Sequence, residues 1–212
     1  MTEFILDGRW TSRSTLSDEA AVMTVAADGT RGGVSLLERT AGSVLHVMAR
    51  RGRSANVRSA IGAAIRSEVP SEARYTSSAA GSVVWSGPGQ WLILSDAHSG
   101  LRDTLASSLT GLAAVIDQTA ARVVIEASGP DVRRALAKGI GLDLHPAVFD
   151  IGHAAMTDVA HVSVHLWRTA DANGHAVFQL AVPRSTAGTV WHTLVASAAE
   201  YGLEAHTLAS SR

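Results

Sequence analysis

The chain has 212 residues, a formal net charge of −1 at pH 7, 46% hydrophobic residues and 17% charged residues. A net charge this close to zero excludes the general electrostatic attraction of basic proteins to nucleic acids and anionic membranes, so we expect neither partner. The sequence contains no cysteine, which excludes disulfides and thiolate metal sites and is compatible with a reducing cytoplasm.

The N-terminal sequence MTEFILDGRW has neither the basic region nor the apolar run of a signal peptide. No apolar run approaches the roughly 20 residues that a membrane-spanning helix needs. We therefore expect a cytoplasmic location and no membrane span. Residues 1–40 also contain ADGTRGG and repeated Ser and Thr without sustained periodicity. They predict an irregular N-terminal arm with room for one short strand near residues 22–26.

Four elements are predicted after this arm. In a strand at residues 44–48, Val44, His46 and Met48 would lie opposite Leu45 and Val47. Val57, Ile61 and Ile65 recur on one face of a helix. The turn sequence SGPG indicates a hairpin. The elements are a strand at 44–48, a helix capped by Ser54, a hairpin of strands 82–85 and 91–94, and a helix marked by Leu101, Leu105 and Leu109.

The same order returns in the second half of the chain. SGP at residues 128–130 ends a strand and starts a helix, because Pro at the first helical position sacrifices an amide that has no partner there. The elements are a strand at 121–127, a helix at 131–138 ended by Gly139, a hairpin of strands 158–167 and 177–182, and a helix from Ser185 to Gly202 with Val190, Leu194, Ala198 and Tyr201 on one face.

This repetition of strand, helix, two strands and helix predicts an α+β fold with internal duplication. We expect two mainly antiparallel sheets covered by helices. Beyond the irregular arm at 1–40, residues 41–212 are predicted to form a single domain made of two halves, 41–112 and 113–212. The high hydrophobic content predicts an apolar face that a partner covers.

The histidines His161 and His165 are four residues apart, a spacing that would place two metal ligands side by side on a helix. The surrounding residues alternate as in a strand, where residues four apart are separated by roughly 13 Å. We therefore predict an ordinary solvent-facing strand and no metal site.

Asp143 and His145, followed by Pro146, form another candidate site. They could act as an acid–base couple, but no GxSxG motif or thiol supplies a nucleophile. Asp and His in loops commonly bond their own backbone, so we favour a structural turn.

The glycines do not form a nucleotide-binding motif, because GxGxxG and GxxxxGK[ST] are both absent and Gly139-Ile140-Gly141 follows a helix instead of preceding one. A basic cluster, Arg50, Arg51, Arg53 and Arg58, is interpreted as a solvated or partner-facing surface. We predict no catalytic, cofactor-binding or metal-ligating residue. Trp85, Trp91, Trp167 and Trp191 are assigned mostly to the core, with a hairpin Trp as a plausible interface anchor.

Three blocks of the sequence carry a family resemblance. DQTAARVVIEASGPDVRRALAKG, at 117–139, resembles the DxSxxGRxxLxGPxAxxxLxKG signature of the folate-binding aminomethyltransferase fold. Its continuation LDLHPAVF is similar to the gamma subunits of heterotetrameric sarcosine oxidase. VVWSGPGQWLILS at 83–95, and VSVHLWR with FQLAVPRSTAGTVWHTLVASAAEYG within 162–202, resemble the same subunits.

The resemblance implies a non-catalytic structural subunit of a sarcosine oxidase complex, which demethylates sarcosine to glycine, forms peroxide and passes a one-carbon unit to tetrahydrofolate. It implies alpha, beta and delta subunits as partners. The larger subunits would hold FAD, FMN and NAD, the smallest would hold zinc, and the alpha subunit would hold tetrahydrofolate, with no cofactor in this chain.

One segment departs from the catalytic members of the wider fold. They carry a Gly-Gly turn and an acidic pair where this chain has AAMTDVAHVSV, in which Asp158 is the sole carboxylate. We therefore expect folate to bind weakly or not at all. The alternatives are a stand-alone folate-binding or aminomethyl-transferring protein and, third, a small-molecule carrier of the same fold.

Overall fold

The computed structural model describes residues 14–16, 22–26, 28–29, 31–40 and 42–208. Four helices and twelve strands are present in this part of the chain. In chain order they are β1 (Val22–Met23), β2 (Val34–Arg39), β3 (Ser43–Ala49), α1 (Ser54–Ile65), β4 (Tyr75–Ser78), β5 (Gly81–Gly87), β6 (Gln90–Ser95), α2 (Leu101–Ser108), β7 (Ala113–Asp117), β8 (Arg122–Ser128), α3 (Val132–Ala137), β9 (Ala154–Val159), β10 (Val162–Arg168), β11 (Val177–Pro183), α4 (Ala187–Ala198) and β12 (Leu203–His206).

The strands form two sheets. One has five strands in the order β4-β5-β6-β3-β7, and the other has seven in the order β1-β12-β2-β8-β11-β10-β9. Within the described residues, the pairing of β12 with β2 is parallel and the other strand pairings are antiparallel. The predicted α+β class with mainly antiparallel sheets is confirmed.

The duplication is visible in the element order. The first unit runs β3-α1-β4-β5-β6-α2-β7, and the second runs β8-α3-β9-β10-β11-α4-β12. Each unit therefore has two strands more than the repeat read from the sequence, one after its first helix and one at its end. Since β7 pairs with β3, we propose that the first half of the domain extends to Asp117.

Three apolar layers hold the fold together. Leu45, Val47 and Ile93 of the five-stranded sheet pack under α1 and α2, where the predicted face Val57, Ile61 and Ile65 is fully buried. The seven-stranded sheet packs in the same way under α3 and α4. The two sheets meet on their other faces through a third cluster, which we call the intersheet layer: Val44, Val84, Leu92, Val124, Ala154, Trp167 and Ala181.

The prediction of an irregular arm is wrong for residues 34–39, which form β2. This strand lies between β8 and β12 and buries Val34 and Leu36. Glu38 accepts hydrogen bonds from the Ser14 hydroxyl at 2.5 Å and from the amide of Leu208 at 2.9 Å. β2 therefore ties both ends of the described chain to the sheet. Residues 1–13 lie outside the described residues.

The predicted strand at 158–167 is two strands. β9 ends at Val159 and β10 begins at Val162, with Ala160 and His161 between them at φ values of 49° and 64°. Left-handed turns usually contain Gly or Asn, so this pair gives no turn signal in the sequence. The partner strand at 177–182 is confirmed as β11.

Candidate functional site

The intersheet layer contains a cluster of polar side chains formed by His46, Ser86, Arg122 and His165. Neighbouring residues of a strand face opposite sides of its sheet. Leu45 and Val47 point towards the helices, so His46 points into the intersheet layer with Val44. His165 shares a face with Trp167 of the same strand, and Ser86 shares one with Val84.

The Ser86 hydroxyl links the two imidazoles. Its Oγ lies 3.3 Å from Nε2 of His46 and 2.7 Å from Nε2 of His165. The hydroxyl has a single proton and two acceptor lone pairs, so at most one ring can accept from Ser86 and at least one must donate to it. His165 is 2% exposed, and its Nδ1 has no hydrogen-bond partner among the described residues.

Both rings are held in the neutral form. Burial lowers the pKa of His165 to about 3, with smaller effects from the charges of Arg122 and His46. The pKa of His46 is lowered by burial and by the charge of Arg122, whereas a side-chain hydrogen bond with Gln90 acts in the opposite direction and raises it. A charged imidazole that is buried beside the guanidinium of Arg122 is unfavourable, so Arg122 disfavours protonation of both histidines.

A Ser–His pair can act as a nucleophile and base, but this cluster has a different geometry. An activated serine needs a base that is oriented by a third group, and Nδ1 of His165 has no such partner among the described residues. A base with a pKa of about 3 also has little tendency to take a proton near neutral pH. The contact between Ser86 and His165 therefore lacks the features of an activated nucleophile and its base.

A cleft of about 300 Å³ opens at the opposite end of the intersheet layer. Its wall includes Arg39 and Gln179. Glu126 accepts a hydrogen bond from Gln179 at 2.9 Å, and one of its oxygens lies 3.7 Å from Nε of Arg39. Glu126 therefore engages both Gln179 and Arg39, and the other charged side chain among the described lining residues is the exposed Asp96.

His161 and His165, the two histidines four residues apart, lie in different environments. His161 is exposed in the β9–β10 turn, whereas His165 is buried in β10, so the prediction of a solvent-facing strand is wrong for His165. His161 belongs to the turn that precedes β10, and β10 then places His165 in the intersheet layer beside Ser86. Among the described residues, no group of three or more His, Asp and Glu side chains is placed to hold a metal ion.

The Asp143–His145 loop hydrogen-bonds its own backbone. The Asp143 carboxylate accepts from the amide of His145 at 2.9 Å, and Nδ1 of His145 accepts from the amide of Ala147 at 3.2 Å. Both side chains are engaged locally on an exposed loop. These contacts are those of the structural turn favoured by the sequence.

The structure also shows where the basic cluster, Asp158 and the four tryptophans lie. Arg50, Arg51 and Arg53 are exposed between β3 and α1, and Arg58 donates to the carbonyl of Val69 at 3.1 Å. Asp158 is exposed near the tip of the β9–β10 hairpin. Three of the four core tryptophans, Trp91, Trp167 and Trp191, are at most 1% exposed, while Trp85 is half-buried.

Sequence reasoning missed the polar cluster. His46 and Ser86 each occupy a strand position between apolar neighbours, which indicates a side chain on one sheet face. The sequence does not indicate that this face packs against a second sheet. It also does not indicate that the second sheet contributes His165 and Arg122 to the cluster.

The sequence matches a known family over most of its length. The model of the Sarcosine oxidase, gamma subunit family matches residues 49–200. A protein of Arthrobacter sp. described as sarcosine oxidase subunit gamma is 33% identical over 156 residues, covering 72% of this chain and 76% of that protein. Its counterpart from Corynebacterium sp. (strain U-96) is 36% identical over 90 residues, covering 42% of this chain and 44% of that protein.

Solved structures show the same relationship. A chain of the heterotetrameric sarcosine oxidase from Corynebacterium sp. U-96, in complex with pyrrole 2-carboxylate, superposes with a TM-score of 0.72 at 26% identity, covering 84% of this chain and 88% of that one. The glycine cleavage system aminomethyltransferase T from Bartonella henselae has a TM-score of 0.57 at 14% identity, covering 85% of this chain and 49% of that one. The second likeness is one of fold alone.

Proposed function

This chain belongs to the sarcosine oxidase gamma subunit family, and we propose that it is the non-catalytic structural gamma subunit of a heterotetrameric sarcosine oxidase. The complex would remove two electrons from the N-methyl amine, reduce oxygen to hydrogen peroxide, pass the methyl carbon to tetrahydrofolate and release glycine. The observation that carries the proposal is the family match over residues 49–200. The likeness to a chain of a heterotetrameric sarcosine oxidase supports it.

The geometry of the polar cluster supports a non-catalytic role. Its Ser–His contact lies inside the intersheet layer, and His165 is too weak a base to activate Ser86 near neutral pH. Asp143 and His145 are engaged with their own loop backbone. None of these groups forms a recognisable catalytic set with an open substrate position.

The proposed partners are the alpha, beta and delta subunits, in a cytoplasmic complex. We assign FAD, FMN and NAD to the larger subunits, zinc to the smallest and tetrahydrofolate to the alpha subunit. No helix among the described residues has the length and apolar character required to cross a bilayer.

The test is to purify the chain alone and from co-expression with the other three subunits, and to measure flavin absorbance and sarcosine-dependent peroxide in both preparations. We expect the isolated chain to be colourless and inactive, and the complex that contains it to oxidise sarcosine. A stoichiometric flavin spectrum in the isolated chain would contradict the proposal.

We predict that tetrahydrofolate binds this chain weakly or not at all, because Asp158 lies on an exposed hairpin and is not part of the cleft wall. The measurement is titration calorimetry on the isolated chain. Micromolar binding, about −8 kcal/mol, would instead favour the alternative of a stand-alone folate-binding or aminomethyl-transferring protein. At present that alternative rests on a likeness of fold at 14% identity.

A further inference from the structure

The strand β7 forms an edge of the five-stranded sheet, and it lacks the usual protection of an edge. Its sequence AAVID contains no Pro or Lys, and its one charge, Asp117, is at its end, where it pairs with Arg102 at 2.9 Å. Ile116 is 43% exposed. Natural edge strands are usually short, charged or covered, because an open apolar edge pairs with other chains.

The other three sheet edges are each protected. β4 is rich in Ser and Thr, and the amide of Tyr75 donates to the carbonyl of Gly152 at 2.7 Å. β9 carries the exposed Asp158, and its last residue, Val159, forms a bridge with Ile140. β1 has only two residues. Among the edges in the described chain, β7 is the unprotected one.

The pairing register identifies which backbone groups of β7 are open. At the two ends of the β3–β7 pairing, backbone hydrogen bonds run from the amide of Gln118 to the carbonyl of Val44 and from the amide of Arg50 to the carbonyl of Leu112. In an antiparallel ladder, backbone groups alternate between the two sides of a strand. The amide and carbonyl of Val115 therefore point away from β3. On that outer side of β7, the described residues supply no further strand.

The internal duplication indicates what covers such a strand. β12 follows the last helix of the second unit as β7 follows the last helix of the first. In the seven-stranded sheet, β1 from the N-terminal segment covers one side of β12, in antiparallel register with Val22 opposite Ala205 and Met23 opposite Glu204. The equivalent cover of β7 is absent from the described residues.

We propose that β7 is a docking site for an extended apolar segment of another subunit, which adds an antiparallel strand to the five-stranded sheet. Its backbone would exchange hydrogen bonds with Val115, and an apolar side chain would cover Ile116. The main-chain hydrogen bonds would provide affinity, and the side-chain contact would provide specificity, as in other cases of strand addition. The inference rests on the proposed function, since it requires partner subunits.

The test is amide-resolved hydrogen exchange on the dilute isolated chain and on the four-subunit complex. We expect the Val115 amide to exchange at least about tenfold more slowly in the complex, as an amide does when it gains a stable hydrogen bond. The amide of Ser77, which the same alternation directs outward from β4, is the internal control. An unchanged Val115 rate in an intact complex overturns the docking inference and leaves the proposed function standing.

Variants test the same edge independently. Val115→Pro removes the outward amide and Ile116→Lys removes the apolar contact, and each is expected to weaken binding to the other subunits by about tenfold or more. Ser77→Pro makes the matched backbone change on the opposite edge and should leave binding intact. A Val115 amide already protected in the dilute monomer would show that the chain covers its own edge. Failure of the wild-type subunits to assemble at all would instead overturn the proposed function.

Discussion

His165 is an imidazole held neutral inside the layer between the two sheets. Its pKa of about 3 lies below the ordinary value of 6.5, chiefly because of burial. Below pH 6.5 the unfolded chain takes up a proton that the folded chain does not. The stability that this group contributes is therefore complete above pH 6.5 and is lost as the pH falls towards 3.

We predict that His165→Gln flattens the acid side of the stability profile. Removing the imidazole should lower the slope of unfolding free energy against pH, between about pH 6 and pH 4, by about 1.4 kcal/mol per pH unit. Urea denaturation at a series of pH values measures this slope. His161→Gln is the control because it removes an exposed imidazole from a turn. An equal slope in the His165 variant and the wild type would contradict the pKa assignment.

At the scale of single residues, the sequence predicted the buried apolar side chains better than the buried polar ones. Val57, Ile61 and Ile65 follow helical periodicity, so their burial could be read from one element alone. The position of His165 depends on a turn without glycine and on contact with Ser86 of the other sheet. Both are properties of the tertiary fold, so local pattern could not reveal them.

Among the elements, β2 depends on a close approach at its entry. A side chain on Gly33 would place its Cβ 2.0 Å from the backbone carbonyl oxygen of Tyr201. That oxygen belongs to the chain entering β12, so it cannot move as the end of a flexible side chain could. Gly33 is required for β2 to lie beside β12.

We predict that Gly33→Ala destabilises the protein by about 3 kcal/mol or more, since the added methyl group displaces β2 from the sheet. Gly141→Ala is the matched control, because no atom lies within 4 Å of its added Cβ and its φ is not in the left-handed region. Chemical denaturation of both variants gives the comparison. Similar stabilities would show that β2 does not require the close approach.

The sequence predicted the order of helices and strands far better than it predicted the structure of the N-terminal segment. Helices α1 and α2 and the β5–β6 hairpin were predicted because each has its own periodicity or turn residues. β2 is VSLLER, in which two adjacent leucines interrupt the alternation of a half-buried strand. Its partners β8 and β12 are distant in sequence, so its structure depends on long-range pairing.

At the scale of the whole molecule, the surface has apolar side chains of the kind that partner subunits cover. Its two sheets bury their facing sides against each other, yet Ile116, Val148, Ile151 and Met156 remain between 42% and 52% exposed. Exposed apolar side chains of this kind are typical of surfaces that partners cover. The edge strand β7, whose outward backbone groups face no further strand among the described residues, is a surface of the same kind.

We predict that the chain self-associates when produced alone at high concentration and becomes soluble and more heat-stable when co-expressed with the large subunit that we propose carries the flavin. A partner that binds only the folded state stabilises it by about 4 kcal/mol at a thousandfold excess over the dissociation constant. Light scattering and thermal unfolding measure the two effects. Arg50→Glu or Arg51→Glu tests whether the basic cluster also takes part in the contact. A chain that stays monomeric when concentrated would argue against an uncovered partner surface.

We propose that this chain is a stoichiometric member of a heterotetramer. Native mass spectrometry of the co-expressed alpha, beta and delta subunits with this chain tests it most directly. We predict an assembly containing one copy of each subunit, from which this chain is released only as the complex dissociates. A three-subunit assembly that forms without this chain, while the chain remains separate in the same sample, would contradict it.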